Sequence, residues 1–169
     1  MEERVRLLTE TYGLVKHPEG GSFTEVYTAP FECNGRPLMG NIYFMLVGDD
    51  LSHFHVIDCD ELWFYHEGCG LKVIFLRDGK KEEVLLGKNV ERGERAMVVI
   101  PKGTIFAAEN LDKKSYTFLS CSTTPNFLYS GFRLVSDQEL SRLYPDIFDS
   151  VKHFTFNPEE IADKQKDLH

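Results

Sequence analysis

Gly48-Asp49-Asp50-Leu51-Ser52-His53-Phe54-His55-Val56-Ile57-Asp58-Cys59-Asp60-Glu61-Leu62-Trp63-Phe64-Tyr65-His66-Glu67-Gly68 reads as two β-strands joined by a short turn. Side chains alternate along a strand, so His53 and His55 fall on one face and Glu61, Trp63 and Tyr65 on one face of the next strand. A hairpin between the two would bring these faces together. His66 then falls on the opposite face, suited to packing between sheets or at a subunit contact.

The same period continues to either side. Ser22–Thr28 alternates, with Phe23, Glu25 and Tyr27 on one face, and Asn34-Gly35 offers a tight turn ahead of the β-rich run Asn41–Val47. These two strands are expected to pair antiparallel. Further runs at 71–76, 82–86, 96–100, 105–109 and 115–122, with Asp78-Gly79 as another hairpin turn, indicate a sandwich or barrel. Helical spacing appears only at the ends. Val5, Leu8 and Tyr12 precede Gly13 as a C-cap, Ser136-Asp137-Gln138-Glu139 has the form of a capping box before Leu140 and Leu143, and Asn157-Pro158-Glu159-Glu160 opens a last helix.

The chain has 169 residues, 42% hydrophobic and 12% aromatic, enough for one packed domain over 1–145 with a helical tail over 146–169 packed on it. A formal charge of -8 and the absence of any basic cluster argue against nucleic acid as a partner. The longest apolar run, Ile42–Val47, is far short of the roughly 20 residues that a membrane-crossing helix requires, so no membrane partner is expected. Four irregularly spaced cysteines and the charged start MEERVRLLTE make a reducing cytoplasm the expected setting.

Two imidazoles and a carboxylate on facing strands suit two kinds of chemistry. His53, His55 and Glu61 could ligate a divalent metal (Zn, Fe, Mn or Ni), or line a metal-free polar pocket, which is the favoured reading. In such a pocket His55 and Glu61 are the candidate catalytic pair, because an imidazole titrates near neutrality and a carboxyl can orient it or exchange protons itself. Glu25, between Phe23 and Tyr27, could point into the same cavity. Tyr43, Trp63, Tyr65 and Phe106, with His53, are expected to wall a ligand site; core packing explains the aromatics nearly as well. His17 is assigned to fixing its glycine-rich loop, and His153 and His169 to the surface. Cys59 sits between Asp58 and Asp60, whose charges disfavour a thiolate nucleophile, and Cys121 fits a buried strand.

Gly48, His53, His55, Glu61 and Gly68 resemble the first cupin motif, G-x5-H-x-H-x3,4-E-x6-G. One residue fewer separates Gly48 from His53, and one more separates His55 from Glu61. The second cupin motif is recognisable in Gly93, Pro101, Gly103 and Asn110, with Phe106 at its histidine position. Over roughly residues 8–145 the chain is similar to the cupin-5 or DUF985 family, through His17-Pro18-Glu19-Gly20-Gly21-x-Phe23-x-Glu25-x-Tyr27, Phe54-His55, Asp60-Glu61-x-Trp63 and Gly93-Glu94-Arg95. The resemblance implies an all-β, double-stranded β-helix (jelly-roll) barrel, similar to sugar-nucleotide epimerases and germin-like proteins, and lacking the usual fourth metal ligand.

The resulting expectation is a small-molecule-binding cupin acting as a sugar or nucleotide-sugar isomerase or epimerase. A non-catalytic ligand-binding or sensor cupin is the alternative, followed by a metal-dependent oxygenase. Edge strands and aromatic-rich sheets suit an isologous contact, so a homodimer is expected.

Overall fold

The computed structural model describes residues 1–166. Helix α1 (Glu2–Tyr12) ends on Gly13, whose φ of 64° is left-handed and whose N–H bonds to the Thr9 carbonyl. Thirteen strands follow. The first five are β1 (Val15–Lys16), β2 (Ser22–Thr28), β3 (Glu32–Cys33), β4 (Arg36–Pro37) and β5 (Gly40–Val47). Then come β6 (Leu51–Ile57), β7 (Asp60–Gly68), β8 (Leu71–Arg77), β9 (Lys80–Leu86), β10 (Met97–Ile100), β11 (Ile105–Asn110), β12 (Tyr116–Thr124) and β13 (Phe132–Leu134). The C-terminal helices are α2 (Asp137–Leu143), α3 (Phe148–Val151) and α4 (Pro158–Gln165).

One sheet runs β1-β2-β5-β12-β7-β10 and the other β13-β6-β11-β8-β9, all pairs antiparallel. From β5 to β8 the chain alternates between sheets, which makes a closed two-sheet barrel of the jelly-roll kind. As expected, β2 pairs antiparallel with β5. Asn34-Gly35, with φ of 54° and 75°, closes the small β3–β4 hairpin in the excursion between them. Asp78-Gly79 closes β8–β9 in the same backbone conformation.

The hairpin expected between β6 and β7 does not form. They lie in opposite sheets, so the Asp58-Cys59 turn is a corner from one wall of the barrel to the other. Arg36 braces that corner, donating to both Asp58 carboxylate oxygens at 2.8 and 3.0 Å and to the Asn126 carbonyl at 2.7 Å. His55 and Glu61 therefore face each other across the interior, by sheet-to-sheet packing instead of cross-strand pairing.

The barrel interior is filled by Phe44, Leu46, Trp63, Leu71, Val73, Phe106 and Leu119, all essentially inaccessible to water apart from traces. Each such side chain contributes about 1.5–3 kcal/mol through burial. Two further apolar layers cover the outside. Leu8 of α1 packs with Leu14, Met45 and Phe118 on the first sheet, where Arg4 also forks onto Glu67 at 2.6 and 2.8 Å. On the second sheet Phe54, Ile74 and Ala107 meet Leu140, Val151 and Phe154 of the C-terminal segment. Ser136 caps α2 by accepting from the Glu139 N–H, but the Glu139 carboxylate turns to Arg133 at 2.9 Å instead of completing the expected capping box. Asn157 and Glu160 do complete one for α4.

Candidate functional site

The site is organised by the loop His17-Pro18-Glu19-Gly20-Gly21 between β1 and β2. Gly20 has φ +117°, and a Cβ there would lie 1.9 Å from the Leu51 carbonyl oxygen. At Gly21, φ +71°, a Cβ would stand 2.7–2.9 Å from Leu46, Met45 and Phe44 atoms. Only glycines let the loop lie this close to β5 and β6. A bulge in β6 then locks it. Phe106 pairs with His55 and Ala108 with Ser52, so β6 carries one extra residue in this interval. The His53 N–H is thereby released to the Glu19 carbonyl at 2.9 Å, and the His53 ring Nδ1 reaches the same oxygen at 2.7 Å.

With its backbone fixed from behind, Glu19 sends its side chain inward. Ser52 Oγ donates to Oε1 at 2.7 Å, while Oε2 lies 3.1 Å from His55 Nε2 and 3.5 Å from His17 Nδ1. The neighbouring bonds assign the protons. His55 Nδ1 lies 2.7 Å from the His53 carbonyl, which can only accept, so Nδ1 carries the hydrogen and Nε2 is an acceptor. His17 Nδ1 accepts from the Glu19 N–H at 3.3 Å, so it too offers a lone pair. Glu19 meets two imidazole lone pairs and satisfies this geometry as a carboxylic acid whose O–H points to His55.

Burial enforces the same protonation. Glu19 is 6% exposed, and desolvation raises its pKa to about 8 against the lesser pull of Ser52. Glu61, 8% exposed on β7, is pushed up to about 7, by desolvation first and by the Glu19 charge second. His55 is 2% exposed and lowered by burial, and burial takes His17 down to about 3, so both rings are neutral near pH 7. The result is a neutral acid–imidazole pair on one wall and a carboxyl poised near neutrality on the other.

These groups line a cavity of about 80 Å³ that opens to the surface. Its floor includes His55, Glu61, Trp63 and Cys121, and its walls are Phe23, Phe44, Phe127 and Tyr129. Glu25, Tyr27, Thr28, Asn41, Thr123 and Asn126 surround them, with Glu25 and Tyr27 exposed to solvent. At roughly 10–15 Å³ per water the space holds about five to eight waters, which suits a ligand of monosaccharide size or less. The Trp63 indole N–H lies beside Glu61, near enough to lower its pKa, yet it makes no hydrogen bond with any described residue.

Of the residues singled out from sequence, His55, Glu61, Trp63 and Glu25 line this cavity and four others do not. His53 stacks on Phe156 with ring centroids 3.8 Å apart and serves the Glu19 loop. Tyr43 points out of the barrel against Tyr12 and Phe118, because Ile42 and Phe44 take the inward positions of β5. Tyr65 donates its hydroxyl to the Gly68 carbonyl at 2.8 Å. Phe106 is fully buried and backs the His55 ring at 4.0 Å without lining the cavity. His66 bonds Ser120 on the outer layer, and burial chiefly holds Cys59 up at about 12, with the carboxylates around it adding to the shift. Of the two histidines assigned to the surface, His153 lies beside Phe154 and His169 falls outside the described residues. Glu94 is structural, its carboxylate accepting from the Asn89 N–H at 2.8 Å.

His53, His55 and Glu61 do not converge as metal ligands. His53 is committed to the loop, His55 Nε2 faces Glu19, and Phe106 stands where another imidazole would be needed. Among the described residues no group of three His, Cys, Asp or Glu side chains is arranged to hold a metal ion. Glu19 and His17, by contrast, gained no catalytic reading from sequence. Their signals are an acid placed directly before paired glycines and the place of this segment among those that carry the family resemblance.

Residues 6–135 match the family described as Cupin superfamily (DUF985). No curated protein matches the chain. Among solved structures, a hypothetical protein from Leishmania major is 28% identical with TM-score 0.83, covering 90% of this chain and 98% of its own. A protein from Shewanella oneidensis is likewise 28% identical, with TM-score 0.85, covering 89% of this chain and 96% of its own. Oxalate decarboxylase from Bacillus subtilis, at 14% identity and TM-score 0.54, covers 91% of this chain and 36% of its own, a likeness of fold alone. No helix is long and apolar enough to cross a membrane among the described residues.

Proposed function

The chain belongs to the DUF985 family of the cupin superfamily, and from that premise we propose that it binds a small molecule and moves a proton on it, as an isomerase or epimerase does. The observation that carries this reading is the Glu19–His55 contact of 3.1 Å, held inside the cavity with Glu61 on the facing sheet. Isomerisation next to a carbonyl needs one group to remove a proton and another to deliver one. Glu61, titrating near neutrality, suits the base, and the Glu19–His55 pair suits the acid, since it holds one transferable proton, the Glu19 O–H directed at His55 Nε2. The enclosing aromatic walls exclude water from an intermediate formed between them.

The alternative of a non-catalytic sensor uses the same cavity without turnover. Metal-dependent oxygenation draws no support from the donor geometry. Incubating the protein with aldoses and ketoses in D₂O, and following deuterium uptake at the carbon beside the carbonyl by NMR, tests the proposal. Exchange that falls by about a hundredfold or more in Glu61→Gln and in His55→Asn supports it. A ligand that binds with no exchange in the wild type would leave a binding module in its place.

A further inference from the structure

We infer that the ligand of this cavity is a hydroxy-carbonyl compound without negative charge, a free sugar and not its phosphate or nucleotide derivative. This rests on the small-molecule reading above and narrows it. Among the described residues no lysine or arginine lines the cavity, whereas three carboxyl groups do, Glu19, Glu25 and Glu61. An anionic ligand would leave water for a site with no cation to receive it and with carboxyls that its charge would oppose. Arg36, which holds the backbone of the cavity residue Asn126, spends its guanidinium on Asp58 at 2.8 and 3.0 Å.

The Trp63 side chain lines the cavity beside Glu61, and its buried indole N–H has no acceptor among the described residues. Carboxyls exchange hydrogen bonds with hydroxyl groups, so a neutral diol or hydroxy-carbonyl edge suits this lining without bringing in a negative charge. The remaining polar lining, Thr28, Asn41, Thr123 and Asn126, is neutral and can serve further hydroxyls.

Trp63 is the only tryptophan in the chain, so its fluorescence reports occupancy of the floor directly. The test is a titration of matched sets of pentoses and hexoses, each as free sugar and sugar phosphate, read by fluorescence and by calorimetry at pH 7. Free sugars are expected to bind at least tenfold more tightly than their phosphates. Tighter binding of the phosphates overturns the inference, as does a panel in which no free sugar binds at millimolar concentrations. A phosphate that shows deuterium exchange would refute the ligand class while leaving proton transfer standing. A free sugar that binds without exchange would do the reverse.

Discussion

Replacing Glu19 by Gln should flatten the fall in stability that the folded protein shows above neutral pH. Glu19 has a folded pKa of about 8 against an ordinary 4.5, so between these values the native state holds a proton that the unfolded chain has released. Stability then declines with rising pH. The contribution is complete below pH 4.5 and is lost as the pH climbs through about 8. Burial lowers the pKa of His17, His53, His55 and His66 below 6.5, which works in the opposite direction and is half complete at that value. From pH 6.5 to 8 the Glu19 contribution alone falls by about 1.6 kcal/mol, at about 1.4 kcal/mol per unit and with half of the proton still bound at the upper limit. Glu61, held near 7 partly by the charge of Glu19, adds to the loss and is itself relieved in the variant. Urea unfolding at pH 6.5 and 8.0 measures both proteins. Subtracting the two changes cancels the titrations that do not touch residue 19 and any constant cost of the amide, and leaves Glu19 with its coupling to Glu61. A Glu19→Gln protein whose decline equals that of the wild type would refute the claim that Glu19 is buried as an acid.

Gly20→Ala should cost about 2–4 kcal/mol in thermal or urea unfolding, since its Cβ meets the Leu51 carbonyl and φ is +117°; an unchanged melting temperature would show that the loop does not rest on β6. His53→Ala should lower stability by about 1–2 kcal/mol and weaken ligand binding severalfold without abolishing deuterium exchange, because this ring positions the loop and does not line the cavity. Leu140→Ala should cost about 2–4 kcal/mol while leaving ligand affinity intact, as this fully buried residue packs on the outer face of the second sheet, read by denaturation alongside calorimetry.

The strands were legible in the sequence because they are short runs rich in β-branched and aromatic residues set between turn residues, and one such as β10, with a single buried face, also writes a period of two into the chain. The Asn34-Gly35 and Asp78-Gly79 turns were legible because few residues accept positive φ. Pairing across space was not legible. Alternation placed Glu61 and Trp63 correctly on one face, but it could not show that β6 and β7 belong to different sheets. Tyr43 misled because its neighbours Ile42 and Phe44 are also apolar, and a strand covered on both faces loses the contrast that marks its inner side. The bulge at His53 broke the period where the first histidine was read. Glu19 stayed hidden because it lies in a loop, where no period exists, and its significance comes from a histidine on a strand far along the chain.

The β6 bulge also decides how the site can change over time. It ties the Glu19 loop to His53, and His53 in turn stacks on Phe156, with the Lys164 ammonium 4.5 Å from the Phe156 ring centroid. Phe156 lies beyond residue 135, where the match to the family ends. The acid of the cavity is thus propped by a segment outside the residues that match the family. Substitutions in that segment can shift the tilt of the His53 ring, and through it the reach of Glu19, with every cavity-lining residue unaltered. Relatives with an identical pocket and a different tail are where divergence in proton affinity should be sought.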